Sequence, residues 1–411
     1  MKRTTHRIIT GALALLALVT LPAQAANSGI IVRTDVPFGN AANVRVQKDG
    51  AVTEVHFTPD THGGPECLWF CFRVCQPHSG GSALGHLRLV LECPETMLGG
   101  GKPADFRPVF RPADGDWERT GAPELINLPD GRQQAAWTLD VAKPSLDFAF
   151  AYPYGRDDVE RLVKETRGYW HVDTIGISQG GRPLLRLSND YGRPKGTRPG
   201  VYLMTRQHSG EVSGSWVLDG VMRRFEELGD AAPLAWAIVL GNIDGVEQGD
   251  YGKDNFPYDV NRAWGNPPMR HETLVYQQDM RRWAQRCRPV AGFDFHSPGA
   301  SESDGIYAFI HKSEKFPAVA MQASEWSGAV SKALGPEFAA TNFTRSGDYA
   351  SRWNTPRFGG FCQEDMKIPG VSFETPYGMI RKTVLTREKY QEAGRRIADA
   401  IAVRTQGASS R

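Results

Sequence analysis

The stretch Gly200-Val-Tyr-Leu-Met-Thr-Arg-Gln-His-Ser-Gly-Glu211 joins a continuous apolar run to a polar turn. Such a run is typical of a strand that is buried on both faces of a sheet. Four runs of the same kind follow it: Ala235 to Leu240, Val290 to Phe295, Gly305 to Ile310 and Gly370 to Glu374. A helical period separates the first two runs, with apolar residues at Leu218, Val221, Met222 and Phe225. This alternation predicts an α/β domain whose sheet carries helices on both faces.

The region upstream of this domain has a different rhythm. Short strand-like runs are broken by clusters of Gly, Pro and Asp, as at Ile30 to Arg33, Leu87 to Leu91 and Ala135 to Leu139. The pattern predicts an all-β sandwich over residues 26–150. The α/β domain is then expected over residues 151–404, closed by a helix from Thr386 to Arg404. Residues 405–411 are expected to form a flexible tail.

The first 25 residues have the layout of a signal peptide. Lys2 and Arg3 precede the apolar run Ile8 to Leu21, and Ala23-Gln-Ala25 supplies the small residues of a cleavage site. We therefore expect a periplasmic or secreted protein. No later run is long enough to cross a bilayer, so no membrane span is expected in the mature chain.

Composition excludes several other classes of protein. Of the 411 residues, 40% are hydrophobic and 23% are charged, as in ordinary globular proteins, which excludes a disordered or collagen-like chain. The net charge of +2 provides no basic field for nucleic acid. The sequence carries no signal for a particular oligomeric state.

Three of the six cysteines lie close together in Cys67-Leu-Trp-Phe-Cys-Phe-Arg-Val-Cys75. This segment has the aromatic and β-branched content of a strand, where positions four apart share one face. An exported protein can also form disulfides. Burial or disulfide bonding is therefore favoured over metal binding for these cysteines.

Several ionisable side chains fall at the ends of predicted strands. His208 follows the first strand, His296 follows the run that begins at Val290, and Glu374 ends the last run. Sites in open α/β sheets form at the carboxyl ends of strands. Glu211 lies three residues after His208, so a tight turn would let both bind one ion. Two histidines and one glutamate with an open position form a known arrangement for catalytic zinc.

A second group lies in Asn242-Ile-Asp-Gly-Val246 and Asp259-Val-Asn-Arg262. The adjacent amide of Asn261 and guanidinium of Arg262 can grip a carboxylate, although a surface ion pair has the same signature. A zinc site, a carboxylate clamp and a further glutamate are together the parts of a carboxypeptidase.

Ordered motifs along nearly the whole mature chain resemble the zinc carboxypeptidases of the M14 type, and most closely the cytosolic carboxypeptidase subfamily with an N-terminal β-sandwich. The motifs, besides the Asn242 and Asp259 segments, are Leu68-Trp-Phe-Cys-Phe-Arg-Val74, Asp116-Trp-Glu-Arg119, Phe148-Ala-Phe-Ala-Tyr-Pro-Tyr154, Arg206-Gln-His-Ser-Gly-Glu211, Asp294-Phe-His296 and Ser372-Phe-Glu374. The resemblance implies a carboxypeptidase-like mixed sheet with helices on both faces, preceded by the β-sandwich.

The resemblance also implies the chemistry. It makes zinc the cofactor and a peptide with a free terminal carboxylate the partner. It assigns zinc to His208, Glu211 and His296, the terminal-carboxylate clamp to Asn261 and Arg262, and the general base to Glu374. Arg206 stands in the same motif and is expected to bind substrate. A tyrosine commonly assists in this family, and Tyr349 and Tyr377 are the candidates.

The sequence departs from the family at one catalytic position. The family usually has an arginine after a Gly-Asn-Tyr segment, and its guanidinium polarises the scissile carbonyl. Here Gly249-Asp-Tyr251 is followed by Gly252 and Lys253. We expect Lys253 to supply the charge, as a flexible point charge rather than a planar fork.

The terminal residue that is removed depends on a stretch of mixed charge. Arg345, Arg352 and Arg357 would favour acidic terminal residues, whereas Asp348, Glu364 and Asp365 in the same stretch would neutralise them. Peptides and peptidoglycan stem peptides are both compatible with export. Two alternatives remain open: a metal-binding module without activity, and a metal hydrolase of another amide or ester that bears a free carboxylate.

Overall fold

The computed structural model describes residues 29–77, 81–253, 258–349 and 355–407. The predicted signal peptide over residues 1–25, Arg352, and the last four residues of the predicted tail lie outside the described residues.

Ten strands are formed by the described residues of the N-terminal part. In chain order they are β1 (Ile31–Arg33), β2 (Ala42–Asp49), β3 (Val52–Thr58), β4 (Cys71–Cys75), β5 (Gly85–Glu92), β6 (Val109–Pro112), β7 (Glu118–Arg119), β8 (Glu124–Asn127), β9 (Gln133–Val141) and β10 (Ser145–Ala149). They form two five-stranded sheets, in the orders β1-β4-β10-β6-β7 and β2-β3-β5-β9-β8.

Aromatic side chains join these two sheets face to face. The ring of Phe57 in β3 lies 4.7 Å from that of Phe72 in β4 and 6.1 Å from that of Phe148 in β10, centre to centre. Trp137 of β9 also contacts Phe148. Because β3 and β9 belong to one sheet and β4 and β10 to the other, these contacts form the core of the predicted β-sandwich.

A mixed sheet of eight strands forms the second part. The strands are β11 (His171–Ile177), β12 (Pro183–Ser188), β13 (Pro199–Thr205), β14 (Leu234–Ile238), β15 (Arg288–His296), β16 (Ile306–Ile310), β17 (Ala339–Ser346) and β18 (Gly370–Glu374). Their order is β11-β12-β14-β13-β15-β18-β16-β17, and the four central strands from β14 to β18 run parallel. A short ribbon of β19 (Met379–Ile380) and β20 (Thr383–Val384) follows. All five strands predicted from apolar runs are therefore present.

Seven α-helices accompany this sheet in the part of the chain that the structure describes. They are α1 (Arg156–Glu165), α2 (Val212–Leu228), α3 (Ile243–Gln248), α4 (His271–Ala284), α5 (Pro317–Phe338), α6 (Phe358–Glu364) and α7 (Arg387–Gly407). The last helix includes residues 405–407, which the sequence analysis placed in a flexible tail. None of the helices formed by the described residues has the length and apolar character of a membrane span.

Two consecutive residues of β15 show that helices cover both faces. Gly292 faces Phe358 of α6, whereas the ring of Phe293 packs on Trp326 of α5 at 5.3 Å. Successive side chains of a strand point to opposite faces, so α5 and α6 lie on opposite sides of the sheet. This confirms the predicted layering.

The cysteines serve packing rather than cross-linking. Cys67 and Cys71 are buried, Cys75 is half-buried, and all six cysteines lie among the described residues as free thiols. Of the two alternatives favoured from the sequence, the structure therefore shows burial.

Candidate metal centre and substrate cavity

The turn after β13 brings His208 and Glu211 to the edge of the sheet. The amide of Glu211 donates to the carbonyl of His208, and α2 begins at the next residue, Val212. The helix approaches β15 closely because residue 214 is glycine: a Cβ there would lie 2.6 Å from the carbonyl oxygen of Phe295. This close approach places Glu211 beside the end of β15.

Register places the other two predicted residues side by side. His296 is the last residue of β15 and Glu374 is the last residue of β18, and the two are paired across parallel strands. Parallel strands end at the same edge of a sheet, so residues 78 positions apart in sequence become neighbours. His296 and Glu374 thus lie together at the end of the sheet, as their positions at strand ends predicted.

Three side chains converge into a group that can hold a metal ion. Nδ1 of His208 lies 2.9 Å from Oε1 of Glu211, and Nδ1 of His296 lies 2.7 Å from Oε2. The three potential ligand atoms lie within 4.8 Å of one another. All three residues are buried, with exposed fractions of 4% or less.

Two aspartates fix the orientation of the histidines. Oδ1 of Asp259 lies 3.1 Å from Nε2 of His208, and Oδ2 of Asp294 lies 2.6 Å from Nε2 of His296. Carboxylates in this position leave the other ring nitrogen available to a metal and raise its basicity. The sequence analysis assigned no role to either aspartate. Asp294 had a usable signal, because it lies two residues before His296 on a strand and therefore on the same face.

The charges of this group strongly perturb its ionisation. Burial opposes ionisation of Glu211, but the positive charges of His208, Lys253 and His296 outweigh it and hold its pKa well below the usual value. Burial likewise opposes protonation of His296, but Asp294 and Glu211 raise its pKa well above 6.5. A compact cluster of opposite charges, shielded from water, is therefore built at this edge.

Glu374 differs from Glu211 in the direction of its pKa shift. Its Oε2 atom is buried and has no hydrogen-bond partner among the described residues. Burial, reinforced by the charge of Glu211, raises the pKa of Glu374 to about 7. A carboxyl group with a pKa near neutrality is suited to take up and release a proton.

Asn261 and Arg262 lie on a short 3₁₀ turn, Val260–Arg262. Nδ2 of Asn261 lies 3.1 Å from Nε2 of His296, which ties this turn to the metal group. Arg262 is only 8% exposed, and its Nε atom has no hydrogen-bond partner in the described chain. An arginine that is buried with an unsatisfied donor is ready to bind an anion.

Lys253 reaches the group from a neighbouring loop. Its Nζ lies 3.3 Å from Oε1 of Glu211 and 5.2 Å from the centre of the Tyr251 ring. The preceding Gly252 has a φ of +92°, and a Cβ there would lie 2.4 Å from the amide nitrogen of Ser209. No larger residue fits at position 252 without moving this loop. The cation of this loop is therefore the ammonium of the next residue, Lys253.

Arg206, which the resemblance makes a substrate-binding residue, contacts the protein backbone. Its guanidinium is buried and donates to the backbone carbonyls of Ser209 (2.7 Å) and Tyr154 (2.6 Å). It does not line the cavity described below, so it supports the turn that carries His208.

The candidate site opens into a cavity of about 610 Å³. Among the described residues its lining includes His208, Lys253, Asn261, Arg262, His296, Glu374, His311, Asp348, Tyr349, Arg357, Glu364 and Asp365. Of the two candidate tyrosines, Tyr349 lines the cavity and Tyr377 does not. Arg345 is also absent from the lining, because its guanidinium packs on Tyr307 and faces Glu302 at 3.6 Å.

Sequence comparison gives relatives of one kind. The chain is 28% identical to cytosolic carboxypeptidase 1 of Mus musculus over 211 residues, covering 44% of this chain and 17% of the mouse protein. It is 25% identical to the Gallus gallus protein over 190 residues, covering 39% and 15%. The matched region thus spans less than a fifth of the length of these curated relatives. No family model matches the chain.

Solved structures extend the likeness to the whole fold. A metallo-carboxypeptidase from Burkholderia cenocepacia superimposes with a TM-score of 0.71 at 17% identity, covering 92% of this chain and 99% of that one. A metallo-carboxypeptidase from Pseudomonas aeruginosa, in complex with (2-guanidinoethylmercapto)succinic acid, gives a TM-score of 0.68 at 17% identity, covering 91% and 98%. The chain therefore has a carboxypeptidase-like fold, and its resemblance to carboxypeptidases is confirmed.

Proposed function

We propose that this protein is a zinc metallocarboxypeptidase, which removes single residues from the carboxyl ends of peptides. One observation carries the proposal: two histidines of the metal group, Glu374 and the Asn261-Arg262 pair all line one cavity. These are the parts that the reaction needs, gathered from segments that are far apart in sequence.

The donor set fits zinc. Two imidazole nitrogens and one carboxylate, with a fourth position left open, are the ligands of many zinc hydrolases. The carboxylates of Asp259 and Asp294 behind the histidines are the partners expected in such a site. When bound, zinc would polarise the scissile carbonyl and lower the pKa of a water molecule.

The chain's own residues would then direct the reaction. Asn261 and Arg262 would hold the α-carboxylate of the substrate, so that only the last peptide bond lies beside the metal group. Glu374 would take a proton from the attacking water and pass it to the leaving amine. The products are a peptide with a new carboxylate and one free amino acid.

Lys253 would steady the negative charge that develops on the scissile carbonyl oxygen. Burial lowers the pKa of Lys253, but the charges of Glu211 and Glu374 outweigh it, so the ammonium stays charged. Charge placed in advance inside a water-poor site stabilises a transition state more than charge in water. On this loop, Lys253 directly follows Gly252.

The proposed substrates are peptides with a free carboxylate, including peptidoglycan stem peptides. The ligand of the Pseudomonas aeruginosa protein contains the carboxylates of succinic acid, which supports a carboxylate-bearing substrate here. The proposal also places the protein in the periplasm or outside the cell, on the strength of residues 1–25. Fractionation of expressing cells, with and without these residues, tests the location.

Mass spectrometry tests the activity. A mixed pool of peptides and muropeptides is incubated with the zinc-loaded protein and, in parallel, with Glu374→Gln. We expect loss of single carboxyl-terminal residues with the wild type only. If zinc binds but neither protein changes the pool, the alternative of a metal-binding module gains support. A product that lacks a new carboxyl-terminal peptide end would instead indicate another amide or ester as substrate.

A further inference from the structure

The part of the cavity away from the metal group carries carboxylates. Asp348, Glu364 and Asp365 all contribute to its lining. His311 lies between two of them: its Nδ1 contacts Asp348, and its Nε2 lies 3.1 Å from Oε1 of Glu364. The side chains of Asp348 and Glu364 are 36% and 39% exposed, and both residues line the cavity.

Strand register gives the distance of this acidic end from the catalytic glutamate. Tyr307 of β16 is paired with Glu374, and the two strands are antiparallel. His311 follows four residues later, and at about 3.3 Å per residue it lies on the order of 13 Å along the sheet from Glu374. A long side chain is needed to reach from the scissile bond to these carboxylates.

The described arginines near these carboxylates contact backbone carbonyls or other side chains. Arg357 lines the cavity, but its guanidinium donates to the backbone carbonyls of Gly347 and Tyr349 and stacks on the Tyr349 ring at 4.2 Å. Arg345 lies outside the lining and faces Glu302. Among the described lining residues at this end of the cavity, the three carboxylates outnumber the single guanidinium of Arg357.

The opposite end of the cavity holds an independent sign of a ligand. Arg262 is more than nine-tenths buried, lines the same cavity and has an Nε atom without a partner in the described residues. An anion at Arg262 and a cation at Asp348 and Glu364 would together satisfy both ends. An amino acid with a cationic side chain carries both of these groups.

We propose that the terminal residue removed by this protein is basic, with its α-carboxylate on Asn261 and Arg262 and its side-chain cation on Asp348 and Glu364. This rests on the proposed carboxypeptidase function and names its substrate class. It replaces the acidic preference that the arginines of this stretch indicated in the sequence.

Peptides that differ only in the last residue test the proposal directly. Zinc-loaded protein is given four peptides that end in Arg, Lys, Glu or Leu, and kcat/KM is measured for each. We expect the Arg and Lys peptides to exceed the Leu peptide by roughly 10-fold or more, since hydrogen bonds to charged groups contribute at this scale. The Glu peptide should be the poorest.

Two carboxylate variants locate the effect. Glu364→Gln and Asp348→Asn should each lower kcat/KM for the Arg peptide by roughly 10-fold, while the Leu peptide changes little. The control is Glu325→Gln, an exposed carboxylate on α5 that pairs with Arg404 and lies outside the cavity. Equal cleavage of all four peptides, or a preference for Glu that is lost in Arg357→Met, would overturn the proposal.

A binding measurement separates this proposal from the proposed function. Calorimetry with free L-arginine and L-glutamate, on the zinc-loaded Glu374→Gln variant, reports recognition without turnover. If arginine binds more tightly and Glu364→Gln weakens it, the basic pocket stands even if the wild type cleaves no peptide, and only the proposed function fails. If glutamate binds as tightly as arginine while peptides are cleaved, the activity stands and the basic pocket is wrong.

Discussion

Replacing Asp294 by asparagine should weaken metal binding without displacing the metal ligands. Oδ2 of Asp294 contacts both Nε2 of His296, at 2.6 Å, and Nε2 of Gln207, at 2.5 Å. An asparagine oxygen can accept from both donors in the same place. The substitution therefore removes the negative charge behind His296 while keeping its orientation.

The expected size follows from this contact. Loss of such an outer partner typically lowers metal affinity about 10- to 100-fold, or about 1.4 to 2.8 kcal/mol. The contact is fully buried, because Asp294 is 0% exposed, so the upper half of that range is expected. At a fixed free zinc concentration, the stabilisation that zinc gives to the folded protein should fall by the same amount.

Competition with a chelator measures the affinity, and thermal unfolding with and without zinc measures the linked stability. The matched control is Asp279→Asn, a carboxylate that is 1% exposed and accepts from Arg186 (2.9 Å) and Tyr202 (3.0 Å), away from the metal group. The expected role of Asp294 is refuted if Asp294→Asn binds zinc as tightly as the wild type. It is also refuted if the control loses as much affinity.

Three further outcomes are expected. Arg262→Ala should raise KM roughly 10- to 100-fold with a smaller change in kcat, because it removes a charged hydrogen bond to the substrate carboxylate. A fall in kcat alone, measured by steady-state kinetics, would contradict this role of Arg262. Gly214→Ala should destabilise the fold by about 1 to 3 kcal/mol in urea unfolding, because its Cβ would lie 2.6 Å from the carbonyl oxygen of Phe295. The control is Gly328→Ala on α5, whose Cβ would meet no atom within 4 Å and which should not destabilise the fold. Burial opposes ionisation of Asp244, but hydrogen bonds from two side chains and a backbone amide outweigh this effect and lower its pKa from 3.8. The stability that ionised Asp244 contributes is therefore complete above pH 3.8 and is lost below it. The Tm difference between wild type and Asp244→Asn should shrink as the pH falls from about 5 to about 3, and a constant difference would contradict the assignment.

Local patterning was sufficient to predict most residues of the candidate site. Continuous apolar runs located the ends of the buried strands, and the carboxyl ends of parallel strands meet at one edge of a sheet. His208, His296 and Glu374 could therefore be brought together before any distance was known. Glu211 could be added to this group because it lies only three residues after His208, within one tight turn.

Loop residues were harder to place, because their contacts come from distant segments. Asp259 lies 51 residues from His208, and no periodicity links the two, yet the folded loop sets them 3.1 Å apart. Arg206 shares a motif with His208, but its guanidinium donates hydrogen bonds to the carbonyls of Ser209 and Tyr154. A motif fixes which residue is present and not the direction in which its side chain points.

The two-part architecture, the strand ends and the types of side chain at the candidate site could be predicted from the sequence. These features follow from local apolar periodicity and from residue types within short segments. Only the tertiary structure decided which charges face the cavity. Asp348 and Glu364 line it, whereas Arg345 packs on Tyr307 outside it. Electrostatic recognition depends on distance and exposure, and both are set by the packing of segments that the linear sequence keeps apart.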